Sequence, residues 1–211
     1  MDIHGSIKNA DSLKNITPEI ALELLKEGNK RFLAKEPIER DHDWHIRETR
    51  DSQHPFAIVL GCIDSRVMPS IIFDQGIGDL FIVRIAGNIV NQDILGSMEY
   101  ACAVTGSRLI VVLGHTSCGA VKGAVDNVKL GNLTASLKHI RMAMEKVDTD
   151  ANEEKTSKNL SYIDKVALRN VELAIEDVKD QSPILLDLYK KKEIDIVGAM
   201  YNHKTGEVKF I

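Results

Sequence analysis

Two stretches of the chain, Phe56-Ala57-Ile58-Val59-Leu60-Gly61 and Arg108-Leu109-Ile110-Val111-Val112-Leu113-Gly114, are apolar almost throughout and rich in β-branched residues. A strand with one wet face alternates polar with apolar side chains. These do not, so they predict strands buried on both faces, inside a parallel sheet covered by helices. Each run ends in Gly and passes directly into reactive side chains: Cys62-Ile63-Asp64-Ser65-Arg66 after the first, His115-Thr116-Ser117-Cys118-Gly119 after the second. Loops beyond the carboxyl ends of parallel strands are where open α/β sheets bind ligands. If the backbone stays extended past Gly61, then Cys62, Asp64 and Arg66 point to one side. Pro69 is placed to open the next helix, where its missing N–H costs nothing.

The remaining pattern extends the same architecture. Residues 79–88 read as another apolar strand, 92–105 as a helix with Cys102 on its core side, and 120–128 as the helix after the third strand. Two further amphipathic helices span 133–147 and 160–178, separated by a polar break. Ser182-Pro183 caps a short helix, and residues 193–201 and 207–211 form a closing strand pair around Lys204-Thr205-Gly206. The fold class is therefore α/β: about four parallel strands plus a C-terminal antiparallel edge strand, flanked by helices. Before the sheet, residues 1–15 read as a polar extended tail. Thr17-Pro18 starts an amphipathic helix to about Ala34, in which Gly28 is a tolerated interior cost. Residues 39–51 read as a solvated linker whose Trp44 docks on a neighbour, in preference to a second short helix. Residues 1–50 thus form a tail and helical arm with little core of its own, suited to dimerisation, and 51–211 the α/β domain that carries both reactive strand ends.

A net charge of −4 and a pI near 6.0 leave no basic footprint for nucleic acid or an anionic membrane. The first residues contain no apolar signal core, and no apolar run reaches the length of a membrane span. Three cysteines are too few and too odd for a disulfide framework and point to a reducing compartment, so a cytoplasmic location is expected.

Cys62, His115 and Cys118 make a soft N/S donor set suited to Zn²⁺. Three protein ligands leave a tetrahedral position open, the mark of a catalytic zinc.

The paired motifs Cys62-x-Asp64-x-Arg66 and His115-x-x-Cys118 resemble those of the β-class carbonic anhydrases. Phe81 to Arg84, Ala86 to Asn88 and Glu99 to Ala101 also sit where that family has comparable residues. The resemblance implies reversible hydration of CO₂ to bicarbonate and a proton by zinc-bound hydroxide, with one Zn²⁺ per chain on Cys62, His115 and Cys118. It implies that Asp64 accepts a hydrogen bond from the zinc-bound water and that Arg66 orients that carboxylate and keeps it ionised. A small apolar CO₂ pocket is implied around Phe81, Ala86 and Tyr100, part of it supplied across a dimer interface. Gln53, nine residues before Cys62, and the Gly119 amide are implied to meet substrate or bicarbonate. The family assembles as homodimers, often paired again into homotetramers. A bicarbonate-inhibited subset carries Trp where this chain has Val59, so an open site at neutral pH is expected here. The same scaffold can instead hydrolyse CS₂ or COS, or serve as a non-catalytic zinc-binding protein. A redox role for Cys62 and Cys118 lacks a Cys-x-x-Cys motif. Among His42, His45, His54, His139 and His203, nothing in the sequence singles out a proton carrier.

Overall fold

The computed structural model describes residues 9–150 and 152–211. Its centre is one five-stranded sheet of order β2-β1-β3-β4-β5, built from β1 (Ala57–Gly61), β2 (Leu80–Arg84), β3 (Leu109–His115), β4 (Asp195–Tyr201) and β5 (Val208–Phe210). The first four strands run parallel and β5 returns antiparallel along β4. Every residue of β1 and β3 is buried, as their unbroken apolar runs require.

The two faces of these strands build two cores. Ala57, Val59, Leu109, Val111 and Leu113 face one way, onto Leu13 and Ile16, onto Leu24 and Leu25 of α2 (Pro18–Ala34), and onto Ile72 of α4 (Pro69–Ile72). Ile58, Leu60, Ile110 and Val112 face the other, onto α5 (Gln92–Glu99), α8 (Leu160–Gln181) and α9 (Pro183–Lys190). A third core joins Cys62 and Cys118 to α6 (Gly119–Val125), α7 (Leu133–Glu145) and α8. Cys102 is buried in a π-type turn, Tyr100–Val104, that continues α5. No helix among the described residues is long and apolar enough to cross a membrane.

Three expectations for the N-terminal part change. Part of the expected tail is a short helix, α1 (Ala10–Lys14), because Asn9 and Ser12 cap each other reciprocally and Leu13 is buried; residues 1–8 lie outside the described residues. Residues 39–51 contain a helix, α3 (His42–Thr49), where a linker was expected. The Asp41 carboxylate accepts from the Trp44 amide at its start, and His45 is buried; Trp44 stays 40% exposed, edge-on to His45. Among the described residues of the arm, the apolar face of α1 and α2 joins the core of the sheet.

Gly28 is more than a tolerated cost. A Cβ there would lie 1.7 Å from the Phe73 carbonyl oxygen, so α2 and the end of α4 approach closely only at a glycine. Next to it, the buried Asn29 amide donates to the carbonyls of Ile72 (3.1 Å) and Gly206 (3.0 Å), and its oxygen accepts from the Val208 amide (2.9 Å). One side chain thus ties α2, α4 and the β4–β5 hairpin together. Asp74, buried below, takes Arg31 at 2.5 Å and Arg40 at 2.6 Å.

Gly28→Ala should cost about 3 kcal/mol, read as a lower denaturant midpoint at unchanged slope. Burial alone would raise the Asp74 carboxyl, but hydrogen bonds from Arg40, Arg31 and the Ile38 amide hold it below its ordinary 3.8. Stability from this cluster is therefore full above pH 3.8 and is lost as the pH falls through the lower folded value. Asp74→Asn should flatten the acid limb of thermal stability below pH 4, measured by melting point against pH.

Candidate metal centre

The parallel register sets Gly61 of β1 beside Leu113 of β3, so the chain after Gly61 emerges next to Gly114 and His115. The donor atoms of Cys62, His115 and Cys118 all lie within 4.8 Å of one another, and all three residues are buried. They come from the ends of two adjacent strands and the start of α6.

Each donor is held by its surroundings. The Gly87 amide donates to Cys62 Sγ at 3.3 Å. Gly87 has φ +75°, and a Cβ there would meet Ile140 at 2.5 Å, so only glycine brings that amide so near. The Gly87 carbonyl in turn accepts from Asn170 Nδ2 of α8 at 2.8 Å. Between His115 and Cys118, the Asp164 carboxylate of α8 accepts from the Ser117 amide at 2.7 Å and supports its left-handed φ of 57°. His115 Nδ1 lies 3.0 Å from the Thr116 carbonyl oxygen. That oxygen can only accept, so Nδ1 carries the proton and Nε2 keeps its lone pair.

The fit to a metal ion is visible in the unspent valences. His115 Nε2 is buried without a hydrogen-bond partner. The two thiols share a proton: the hydrogen bond from Cys118 lowers Cys62 against the opposing effect of burial, with the Gly87 amide assisting. The same bond, with burial, pushes Cys118 up. A soft cation in place of that proton would satisfy both sulfurs and the imidazole together.

Cys62, Asp64 and Arg66 do not lie along an extended strand. The strand stops at Gly61, the Val67 amide donates to the Asp64 carbonyl at 2.9 Å, and Asp64 Oδ1 accepts from the Arg66 amide at 3.0 Å. This turn, rather than strand alternation, brings the side chains together: Arg66 Nε and Nη2 donate to Asp64 Oδ1 and Oδ2 at 2.9 and 2.8 Å. The carboxylate is partly buried and the guanidinium exposed. Arg84 clamps the same loop from β2, Nε to the Cys62 carbonyl at 2.9 Å and Nη2 to that of Asp64 at 2.6 Å.

A family model described as carbonic anhydrase matches residues 57–208, which contain all of these groups. The chain belongs to the β-class carbonic anhydrase family. It is 36% identical over 195 residues to carbonic anhydrase 2 of Mycobacterium tuberculosis, covering 92% of this chain and 93% of the relative. The carbonic anhydrase of Mycolicibacterium smegmatis is 35% identical over 198 residues, covering 93% and 95%. Among solved structures, the β-carbonic anhydrase CcaA superimposes with a TM-score of 0.73 at 26% identity, covering 90% of this chain and 94% of that one. This chain is thus a carbonic anhydrase, an enzyme of the reversible hydration of CO₂.

The residues expected at the substrate of this carbonic anhydrase come from several elements. Phe81 and Tyr100 meet edge to face at 6.2 Å. They line an open groove of about 880 Å³ with Ile58, Leu95 and Glu99, and none of Cys62, Asp64, His115 and Cys118 borders it. Ala86 lies in the single turn before Gly87, Gly119 is exposed at the start of α6, and Gln53 is exposed ahead of β1. The supports Arg84, Gly87, Asp164 and Asn170 were assigned no role from sequence. Only the positive-φ glycine had a local signal, a Gly-Asn pair after a strand.

Hydrogen bonds from the Arg66 side chain and amide, with the guanidinium's charge, hold Asp64 well below the usual carboxylate range despite burial. Asp64 should therefore stay ionised from pH 5 to 9, seen as a flat ¹³C carboxyl shift, and Arg66→Lys should move its midpoint upward by loss of the two-pronged pairing.

Proposed function

We propose that Cys62 Sγ, His115 Nε2 and Cys118 Sγ hold one Zn²⁺ and that Asp64 and Arg66 order the reacting water beside it. The observation that carries this reading is the buried trio of donors, with His115 Nε2 unpartnered, below a doubly bonded Asp64–Arg66 pair. Zn²⁺ bound there would supply the Lewis acidity that ionises water near neutral pH.

The chain's own residues supply orientation. Arg66 fills Asp64 Oδ1 twice and Oδ2 once, so Oδ2 still has a lone pair and Asp64 can accept an O–H from the nucleophile but cannot donate to it. An acceptor-only group turns the nucleophile's remaining lone pair toward the CO₂ carbon and selects its ionised form. Arg66 keeps that acceptor charged and turned away from the thiols, which supports an open site. Arg84 keeps the loop from relaxing, because two of its N–H groups span the Cys62 and Asp64 carbonyls. In this reading Gln53 and the Gly119 amide bind bicarbonate oxygens, and Phe81, Ala86 and Tyr100 exclude water from a small apolar CO₂ pocket.

The pocket is completed by a second copy of the chain. β2 is an edge strand, Ile82 beside the groove is 37% exposed and Tyr100 52%, and an apolar edge of this kind favours a partner. Residues 1–50 serve as a dimerisation arm on the catalytic domain 51–211, with Leu33, Trp44 and Ile46 as its exposed apolar side chains; dimers pair further into tetramers. All three cysteines are free, which suits the reducing cytoplasm.

Stopped-flow CO₂ hydration with zinc quantified in the same sample tests the reading. One zinc per chain and hydration lost on chelation and restored by zinc are expected. Asp64→Asn should retain zinc and lower kcat by about 100-fold, as losing a positioned proton acceptor does; His115→Ala should lose the metal. Zinc-loaded protein without hydration, or full activity in Asp64→Asn, would overturn it.

A further inference from the structure

One side chain beside the metal centre has no part in the reaction described above. His203 lies in the turn between β4 and β5, and its side chain is 10% exposed. Its Nε2 is 2.8 Å from His115 Nδ1, with the rings 4.7 Å apart at 66°. The ring is fixed from two further directions. The His203 amide donates to Thr116 Oγ1 at 3.1 Å, and Tyr201 stands edge-on at 5.2 Å. Asp64 Oδ2 is 4.0 Å from the same Nε2.

His115 Nδ1 carries a proton because the Thr116 carbonyl faces it. The nearer acceptor for that proton is the lone pair of His203 Nε2. The Thr116 carbonyl belongs to the residue following His115 and moves with its loop. His203 arrives from 88 residues away and ties the imidazole to the turn of the adjacent β4–β5 hairpin. An acceptor on the far nitrogen of a ligating imidazole fixes its tautomer and ring orientation and raises its basicity at the near one.

We infer that His203 is a positioning residue for the metal centre: by accepting the Nδ1 proton of His115 it holds Nε2 toward the two thiols and strengthens metal binding. The inference rests on Cys62, His115 and Cys118 being metal ligands. The hydrogen bond also keeps His203 Nε2 occupied, so that it does not draw Asp64 away from Arg66.

Zinc affinity of the full-length protein, measured by competition with a chromogenic chelator, tests this in wild type, His203→Leu and His203→Gln. Leu removes the acceptor, whereas the Gln carbonyl reaches about as far as Nε2. His203→Leu should bind zinc about 10–100-fold more weakly. Its cobalt-substituted form should show shifted visible bands, and its apoprotein should melt with wild type. His203→Gln should recover most of the affinity. A Leu variant with wild-type affinity and cobalt spectrum, or a Gln variant as weak as Leu, overturns the inference while leaving the metal centre intact. Wild type that takes up no zinc overturns the metal centre and the inference with it. If the Leu variant does not fold, the zinc-loaded wild type decides. A through-hydrogen-bond ¹⁵N–¹⁵N coupling between His115 Nδ1 and His203 Nε2 supports the role, and its absence overturns it.

Discussion

Everything at the candidate metal centre depends on the parallel pairing of β1 with β3 in one register. Gly61 lies opposite Leu113, so the two chains leave the sheet side by side and deliver Cys62 next to His115. A slip of one residue would displace Cys62 by about 3.3 Å and turn every β1 side chain to the other face. The slip is resisted by two cores at once, because Val59 and Val111 pack on α2 while Ile58 and Ile110 pack toward α5 and α8. The burial that makes the sheet stable thus also fixes the spacing of the donors. Precision at the site is a consequence of packing on both sides of the sheet.

A second tier of polar contacts aims the donors that the strands bring together. Two buried sulfurs and an unpartnered imidazole nitrogen form an arrangement that is costly without a cation and favourable with one. The chain tolerates it because neighbouring groups hold the loops. Gly87 gives its amide to Cys62, Asn170 holds the Gly87 carbonyl, Asp164 holds the Ser117 amide and Arg84 spans the Cys62–Asp64 backbone. Two of these supports come from α8, which also packs on the sheet, so its burial is coupled to the geometry of both loops.

Charge is arranged with the same economy. Asp64 could compete with the thiols for a cation, yet both of its oxygens are engaged by Arg66. Arg66 is exposed and Asp64 is not, so the guanidinium stays hydrated while the carboxylate is held at the mouth of the site. The buried Arg31–Asp74–Arg40 cluster near α2 serves a structural end with similar chemistry, joining the arm to the end of α4.

The fold class was legible because β1 and β3 are apolar without alternation, and only a parallel sheet covered on both faces buries such strands. The helices with clear caps, Thr17-Pro18 and Ser182-Pro183 among them, were also legible, since capping is local chemistry. The trio Cys62, His115 and Cys118 could be read from two strand ends. Local pattern misled where stability is tertiary: α1 and α3 are short and polar, and they form because Leu13 and His45 find buried places against the rest of the chain. It misled again after Gly61, where a side-chain turn rather than strand alternation brings Asp64 to Arg66. By itself the sequence determined the sheet, the two short motifs that carry the donors and the carboxylate–guanidinium pair, because each is written in residue type at short spacing. Only the tertiary structure decided that Gly28 must lack a side chain, that Asn170 and Asp164 hold the loops, and that His203 among seven histidines reaches His115. Those contacts join residues far apart in the chain, and no spacing along a sequence encodes a distance across a folded core.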